Sequence, residues 1–222
     1  GTPPPQNRIQ TMNSKSETSA RPTGETKVSG FIPCFNNAST ILESIEGMRS
    51  QSLPLKEIYV IDDGSSDDSV ARVRKAGIEV LENNGNLGRG ATRRTGIERA
   101  NYNFVLCCDA TNCLEPDFLK KALPHFENNQ IASVSGRIVG RKPKTSTDRW
   151  RGRHLFKEEV DFPEAGPDIM LITYGTLMKR SAVLEVGNFN ASLRHTEDGD
   201  LGDRLLAAGH EIWGDPDLAV TS

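Results

Sequence analysis

Carboxylates stand at three points of this 222-residue chain where side chains could do chemistry. Asp62 and Asp63 close the apolar run IYVI, and Asp109 closes a second one, FVLCC. Glu197 and Asp198 open the stretch EDGDLGDRLLAAG, in which Leu201, Leu205 and Leu206 recur at helical spacing. An acid at the end of a buried strand can accept hydrogen bonds from a base or a ribose. An acid in the first turn of a helix is favoured in its charged form by the helix dipole and can take a proton from a hydroxyl. Each pattern also has a structural reading. Ser65 or Ser66 would cap a helix after IDDGSSDDS, and Thr196 would cap the one that begins at Glu197.

Two further segments carry glycine or charge. NNGNLGRGATRR places Gly85, Gly88 and Gly90 ahead of a helix bearing Arg93 and Arg94. It contains no GxxxxGK[ST], and no GxGxxG follows the first strand, which argues against a phosphate loop and a dinucleotide fingerprint. The segment RIVGRKPKTSTDRWRGRHLFK, residues 137–157, is richly basic. It reads either as a solvated surface loop or as a flap whose cations meet a diphosphate, with Trp150 anchoring the flap or covering an acceptor. EF-hand ligand spacing is missing after Asp62. Cys34, Cys107, Cys108 and Cys113 form no CxxC pair, so they read as small core residues of a reducing compartment rather than zinc ligands.

These residues need a frame, and the pattern supplies one from Lys27 onward. KVSGFIP reads as a strand stopped by Pro33. ASTILESIEGMRSQS reads as a helix with Ile41, Ile45 and Met48 on one face. KEIYVID is a strand, SDDSVARVRKAG a helix closed by Gly77, and GIEVLEN a short strand. Arg89–Ala100 is a predicted helix, NFVLCCD a strand, PDFLKKALPHF a helix opening with Pro116, and IASVSGRIVG a strand. Strands alternating with helices imply a mostly parallel α/β sheet flanked by helices on both faces. Ligands of such sheets sit beyond the carboxyl ends of the strands, where every loop named above lies.

Composition narrows the partners. Apolar residues make up 36% and charged residues 26%, as in ordinary globular chains, and the net charge of −3 offers no bulk attraction to nucleic acid. No apolar run approaches the roughly 18 residues of a membrane span. Residues 1–26 are polar and Pro-containing, lack the apolar core of a signal peptide, and are expected to form a disordered tail ahead of one domain over 27–222.

Taken in order, FIPCFNN, VIDDGSSDDS, NLGRGATRR, DATNCLEPD and VGNFNASLRHTEDGDLGDRLLAAGHEI resemble the family 2 glycosyltransferases of GT-A fold, from about Val28 to Ala219. The resemblance implies an inverting transfer from a nucleotide-diphospho-sugar, with a UDP-sugar expected, to a saccharide, lipid-linked or other hydroxyl acceptor. It implies donor contacts at Pro33, Phe35, Asn37, Asp62, Asp63, Asn86, Gly88, Arg93 and Asp109. It places Gly175 and Thr176 at the acceptor, has Glu197 orient the loop or bind the acceptor, and makes Asp198 the general base. The family's Asp-x-Asp would put a second acid where Thr111 stands, so the metal ligands would be Asp109 and, weakly, Thr111, and dependence on Mg²⁺ or Mn²⁺ is expected to be weak or absent. Thr92 and Arg94 also replace the family's usual Ala and Asn beside Arg93. A cytoplasmic location is implied, with membrane association only through flanking segments. The chain begins Gly-Thr, and relatives often continue past the point where it stops, so a catalytic fragment is expected. Two rival readings stay open: a degenerate GT-A domain that binds nucleotide or a partner protein without chemistry, and a sugar nucleotidyltransferase. The second would want a Gly-rich basic loop after the first strand, where PCFNNAS stands.

Overall fold

A computed structural model describes residues 26–139, 164–168 and 170–222. Its strands are β1 (Val28–Cys34), β2 (Glu57–Asp62), β3 (Glu79–Glu82), β4 (Phe104–Cys108), β5 (Cys113–Leu114), β6 (Ile131–Val139), β7 (Gly166–Asp168), β8 (Gly175–Lys179) and β9 (Glu211–Thr221). They form one sheet in the order β3-β2-β1-β4-β8-β6-β9-β5, with β7 also paired to β9. β1, β2, β3 and β4 are mutually parallel, and β6 and β9 run the same way, while β5, β7 and β8 run against them. The carboxyl ends of β1, β2 and β4 therefore share one edge, with Cys34 in register with Asp62.

The period of two along these strands divides the core. Phe31, Tyr59, Ile61, Val105 and Cys107 face one side, against Ile97 of α3 (Arg89–Arg99), Ala182 and Val183 of α5 (Arg180–Glu185) and Leu201 and Leu205 of α6 (Glu197–Ala207). Ile32, Val60, Leu106 and Cys108 face the other. There they meet Ile41, Ile45 and Met48 of α1 (Ile41–Arg49), Val73 of α2 (Ser69–Lys75) and Phe118, Leu119 and Ala122 of α4 (Phe118–Ala122). The Ile, Val, Leu, Phe and Met side chains among them each contribute about 1.5–3 kcal/mol by leaving water. The sheet thus becomes a rigid plate with polar loops along its carboxyl edge.

Three local expectations need correction. Pro33 does not stop β1, which continues to Cys34 with Pro33 opposite Ile61. Pairing with β4 has already ended at Phe31, so the missing N–H costs no ladder bond on that side. The helix after Asp62 begins at Ser69, later than a Ser65 or Ser66 cap would place it, and Asp67 Oδ1 accepts from Ser69 N at 2.9 Å. α4 starts at Phe118, two residues after Pro116, and gives way to a 3-10 turn over Leu123–Glu127, where Pro124 has no N–H for an α-helical bond. β8, which lies between β4 and β6, has no counterpart among the strands read from sequence. None of the four cysteines forms a disulfide among the described residues, and three of them are buried. Residues 1–25 lie outside the described residues, so the tail is untested. Among the described residues no helix is long and apolar enough to cross a membrane.

Candidate active site

The loops after β1 and β2 are stitched together by side chains. Asn36 N donates to Ser65 Oγ at 2.8 Å, and Asn36 Oδ1 accepts from Ser66 N at 2.8 Å. Asn37 N donates to Ser69 Oγ at 2.8 Å, while Asn37 Oδ1 accepts from Phe35 N at 3.1 Å. Asp62 is 2% exposed. Its Oδ2 accepts from Gly64 N and Ser65 N at 3.1 and 2.9 Å, closing the turn, and its buried Oδ1 has no partner. Asp63 does different work. Its Oδ1 accepts from Leu87 N and Asn83 Nδ2, and its Oδ2 from Gly88 N, each at 2.9 Å. One carboxylate thereby folds the loop 83–88 onto the end of β2.

The result is a small cavity of about 70 Å³ lined by Pro33, Cys34, Phe35, Asp63, Arg89 and Thr92. Three of the expected donor residues meet there: Pro33, Phe35 and Asp63. Asn37, Asp62, Asn86 and Gly88 stand around it as loop-holding groups, and the exposed ring of Phe35 is available to stack. Sequence reasoning missed Cys34, Arg89 and Thr92. Position was the available signal, because Cys34 ends β1 beside Pro33, and Arg89 opens α3 directly after the glycine loop. Burial pushes the Cys34 thiol above its ordinary range.

Beyond the cavity, charge is buried. Arg93 of α3 is 3% exposed. Its Nη2 donates to Asp109 Oδ1 at 2.6 Å, and its Nη1 pairs with Glu197 Oε1. Burial opposes the guanidinium charge, but attraction from Asp109, helped by Asp198, outweighs it and holds the pKa above its usual value. Burial also pushes the neighbouring Cys107 thiol up to about 12, so it stays a neutral core group. Arg93 reaches the end of β4 and the start of α6 together, and its side chain is turned away from solvent. In this arrangement its guanidinium is engaged by the two acids.

The acid pair divides its tasks in the same way. Glu197 is 1% exposed and turned inward onto Arg93, so it does not present a carboxylate to an acceptor. Asp198 is half-buried in the first turn of α6, and its Oδ1 accepts from Gly199 N at 3.0 Å. Thr196 does not cap the helix. Its φ of +62° is left-handed, whereas a capping residue needs extended backbone, and its hydroxyl donates instead to His195 O at 2.6 Å. Gly175 and Thr176 begin β8 opposite Cys108 and Cys107. Thr176 is fully buried, hydrogen-bonded to Ser135 Oγ at 3.1 Å and to Ile172 O, and offers no surface to an acceptor. Of the basic segment 137–157, only Arg137, Ile138 and Val139 fall within the described residues.

The site's donor set suits a divalent ion poorly. Asp109 already shares Oδ1 with a cation, and Thr111, whose hydroxyl donates to Asn112 Oδ1 at 3.2 Å, is neutral. Among the described residues no group of three His, Cys, Asp or Glu side chains gathers to hold a metal. Mg²⁺ is usually held by one or two carboxylates together with substrate phosphates, and of Asp109 and Thr111 only Asp109 supplies a carboxylate, so an ion here would lean on the diphosphate.

The family model for glycosyl transferase family 2 matches residues 29–187. The chain belongs to that family. It is 25% identical over 203 residues to a poly-β-1,6-N-acetyl-D-glucosamine synthase of Staphylococcus aureus, a match covering 84% of this chain and 47% of that protein. The chain thus spans about half the length of this curated relative. The TarS structure from S. aureus in complex with UDP-GlcNAc superposes with a TM-score of 0.70 at 19% identity, covering 89% of this chain and 58% of that one. The mannosyltransferase PcManGT of Pyrobaculum calidifontis, solved with GDP-Man and Mn²⁺, also gives a TM-score of 0.70, at 18% identity and covering 94% and 60%. The fold of this family 2 member is GT-A. Its cavity at the carboxyl ends of β1 and β2 follows the rule that ligands of α/β sheets bind beyond those ends.

Proposed function

We propose that residues 27–222 form one GT-A domain that moves a sugar, with inversion, from a nucleotide-diphospho-sugar to an acceptor hydroxyl. The observation carrying this reading is Arg93, which holds Asp109 at one end and the Glu197–Asp198 start of α6 at the other. The acid at the end of β4 and the acid that opens α6 are therefore parts of one charged assembly beside the cavity. In the proposed reaction the base sits in the cavity near Phe35 and Asp63, and the diphosphate extends toward Asp109. Asp198 takes the proton of the acceptor hydroxyl as its oxygen attacks the anomeric carbon, and the nucleoside diphosphate leaves on the opposite face. Arg93 orients Asp109 and Glu197 through its two ion pairs without touching substrate.

A uridine donor is favoured by the small cavity and by the likeness to a protein solved with UDP-GlcNAc. A saccharide acceptor is favoured by the relative that is a polysaccharide synthase. Dependence on a divalent cation should be weak, since neither Asp109 nor Thr111 supplies a free pair of carboxylate oxygens. UDP-GlcNAc, other UDP-sugars and GDP-mannose should be offered with and without EDTA, and release of nucleotide and product anomer followed by NMR. A β-linked product from an α-linked donor supports the reading. Nucleotide binding without turnover of any donor would favour the degenerate domain, for which the missing second acid of Asp-x-Asp is the specific motive.

A further inference from the structure

The segment that leads into α6 is fastened to the donor side at three places. Gly90 N donates to Leu193 O at 3.0 Å. Arg194 Nη1 donates to Asn86 Oδ1 at 2.8 Å, and its Nη2 donates to Asn86 O at 3.1 Å. Glu197 completes the series on Arg93. The fit is close. A Cβ on Gly90 would lie 2.1 Å from Asn190 O, and one on Gly88, whose φ is +95°, would lie 2.9 Å from Arg194 Cγ. Only glycine admits both contacts.

Asn86 and Gly88 belong to the loop that Asp63 folds onto β2, and Gly88 N is itself bound to Asp63 Oδ2. A line of contacts thus runs from the cavity through Asp63 and the loop 86–88 to Arg194, and from there the chain itself leads within four residues to Thr196 and Asp198. Arg194 is solvent-exposed, and its guanidinium is spent on two oxygens of one neutral residue, a fork geometry that fixes direction more than it adds energy. Thr196 stands between Arg194 and Glu197 in the left-handed region, a strained conformation of the kind that persists only when both flanks are held.

We propose that Arg194 is a positioning residue that couples occupancy of the nucleoside cavity to the placement of Asp198. The inference rests on the donor-and-base reading above. Nucleotide bound against Asp63 would hold the loop 83–90 in place, and Arg194 would pass that restraint to the first turn of α6. A merely structural tie would steady both segments equally with or without nucleotide.

Amide hydrogen exchange on the 222-residue chain tests it with UDP and GDP as probes. At about 100 times the dissociation constant, an opening linked to nucleotide release is suppressed about 100-fold. In the unaltered protein the bound nucleotide should slow exchange in both 83–90 and 190–198. Arg194→Ala should keep the slowing in 83–90 and lose it in 190–198, and Arg194→Lys, which retains a donor toward Asn86, should restore part of it. Equal slowing of 190–198 in Arg194→Ala and the unaltered protein would overturn the coupling and leave the donor reading standing, as would the absence of slowing there in the unaltered protein. If neither nucleotide slows 83–90 in the unaltered protein, the donor reading fails and this inference with it.

Discussion

The proposed nucleoside end and the proposed base end of this site are anchored by different physics. Asp63, at the nucleoside end, is held by two backbone N–H groups and one amide, all from the loop that follows β3. The base end is held by ions: Arg93 stands between Asp109 and Glu197 with almost no solvent contact. Neutral donors around one acid make a shaped pocket that keeps its form when nearby charges change. An ion triad with Arg93 and Glu197 buried and Asp109 partly exposed instead ties distant elements together, β4 to α6 through α3, and is costly to break at its buried members. Damage at the base end should therefore reach the proposed nucleoside end only through the ties between 190–197 and the loop 86–90.

The largest expected effect comes from breaking the triad. Arg93→Leu leaves Glu197 buried without a countercharge, and urea unfolding should show a loss of about 3–5 kcal/mol. A loss under about 1 kcal/mol would mean that Glu197 finds water or another partner, contrary to its burial. Next is Asp63→Ala, which strips three donors of their acceptor. The loop 83–88 loses its tie to the end of β2, so calorimetry should show nucleotide affinity falling by at least about tenfold. Unchanged affinity would place the nucleotide elsewhere.

A smaller effect sharpens the comparison at its midpoint. Replacing Mn²⁺ with EDTA should change nucleotide affinity by less than about threefold, and Thr111→Asp should raise Mn²⁺ affinity by adding a charged oxygen ligand. A tight stoichiometric Mn²⁺ site in the unaltered protein would contradict the poor donor set described above. The smallest effect is chemical. With pKa values raised by burial, Cys107 and Cys34 remain neutral thiols at pH 8, and iodoacetamide should modify both slowly. Bound nucleotide should slow Cys34 further, since that residue lines the cavity, and should leave Cys107 unaffected. Identical Cys34 labelling with and without nucleotide would count against the cavity as the nucleoside site.

The pattern of elements was legible from periodicity because β1, β2 and β4 alternate cleanly into two core faces and helices follow them. Loop chemistry at the strand ends was legible for the same reason, since sheets of this kind put their ligands there. Orientation was not. Arg93 and Glu197 read as surface charges that would meet ligands, yet 104 positions apart they satisfy each other in the interior. No local pattern reports a pair at that separation. Thr196 looked like a cap by type and place, but a cap depends on backbone angles, and the tie of the segment 190–197 to α3 sets those. Thr176 fell in a strand that pairs with both β4 and β6, so both of its neighbours bury it.

The central claim is that Asp198 is the base, and Asp198→Asn tests it most directly. The substitution keeps shape and the acceptor toward Gly199 N while removing the basic carboxylate. Turnover of the best donor should fall by roughly 10²–10⁴. Nucleotide affinity should stay near that of the unaltered protein, and urea stability within about 1 kcal/mol, the usual worth of a first-turn charge on the helix dipole. Full turnover in Asp198→Asn would contradict the account.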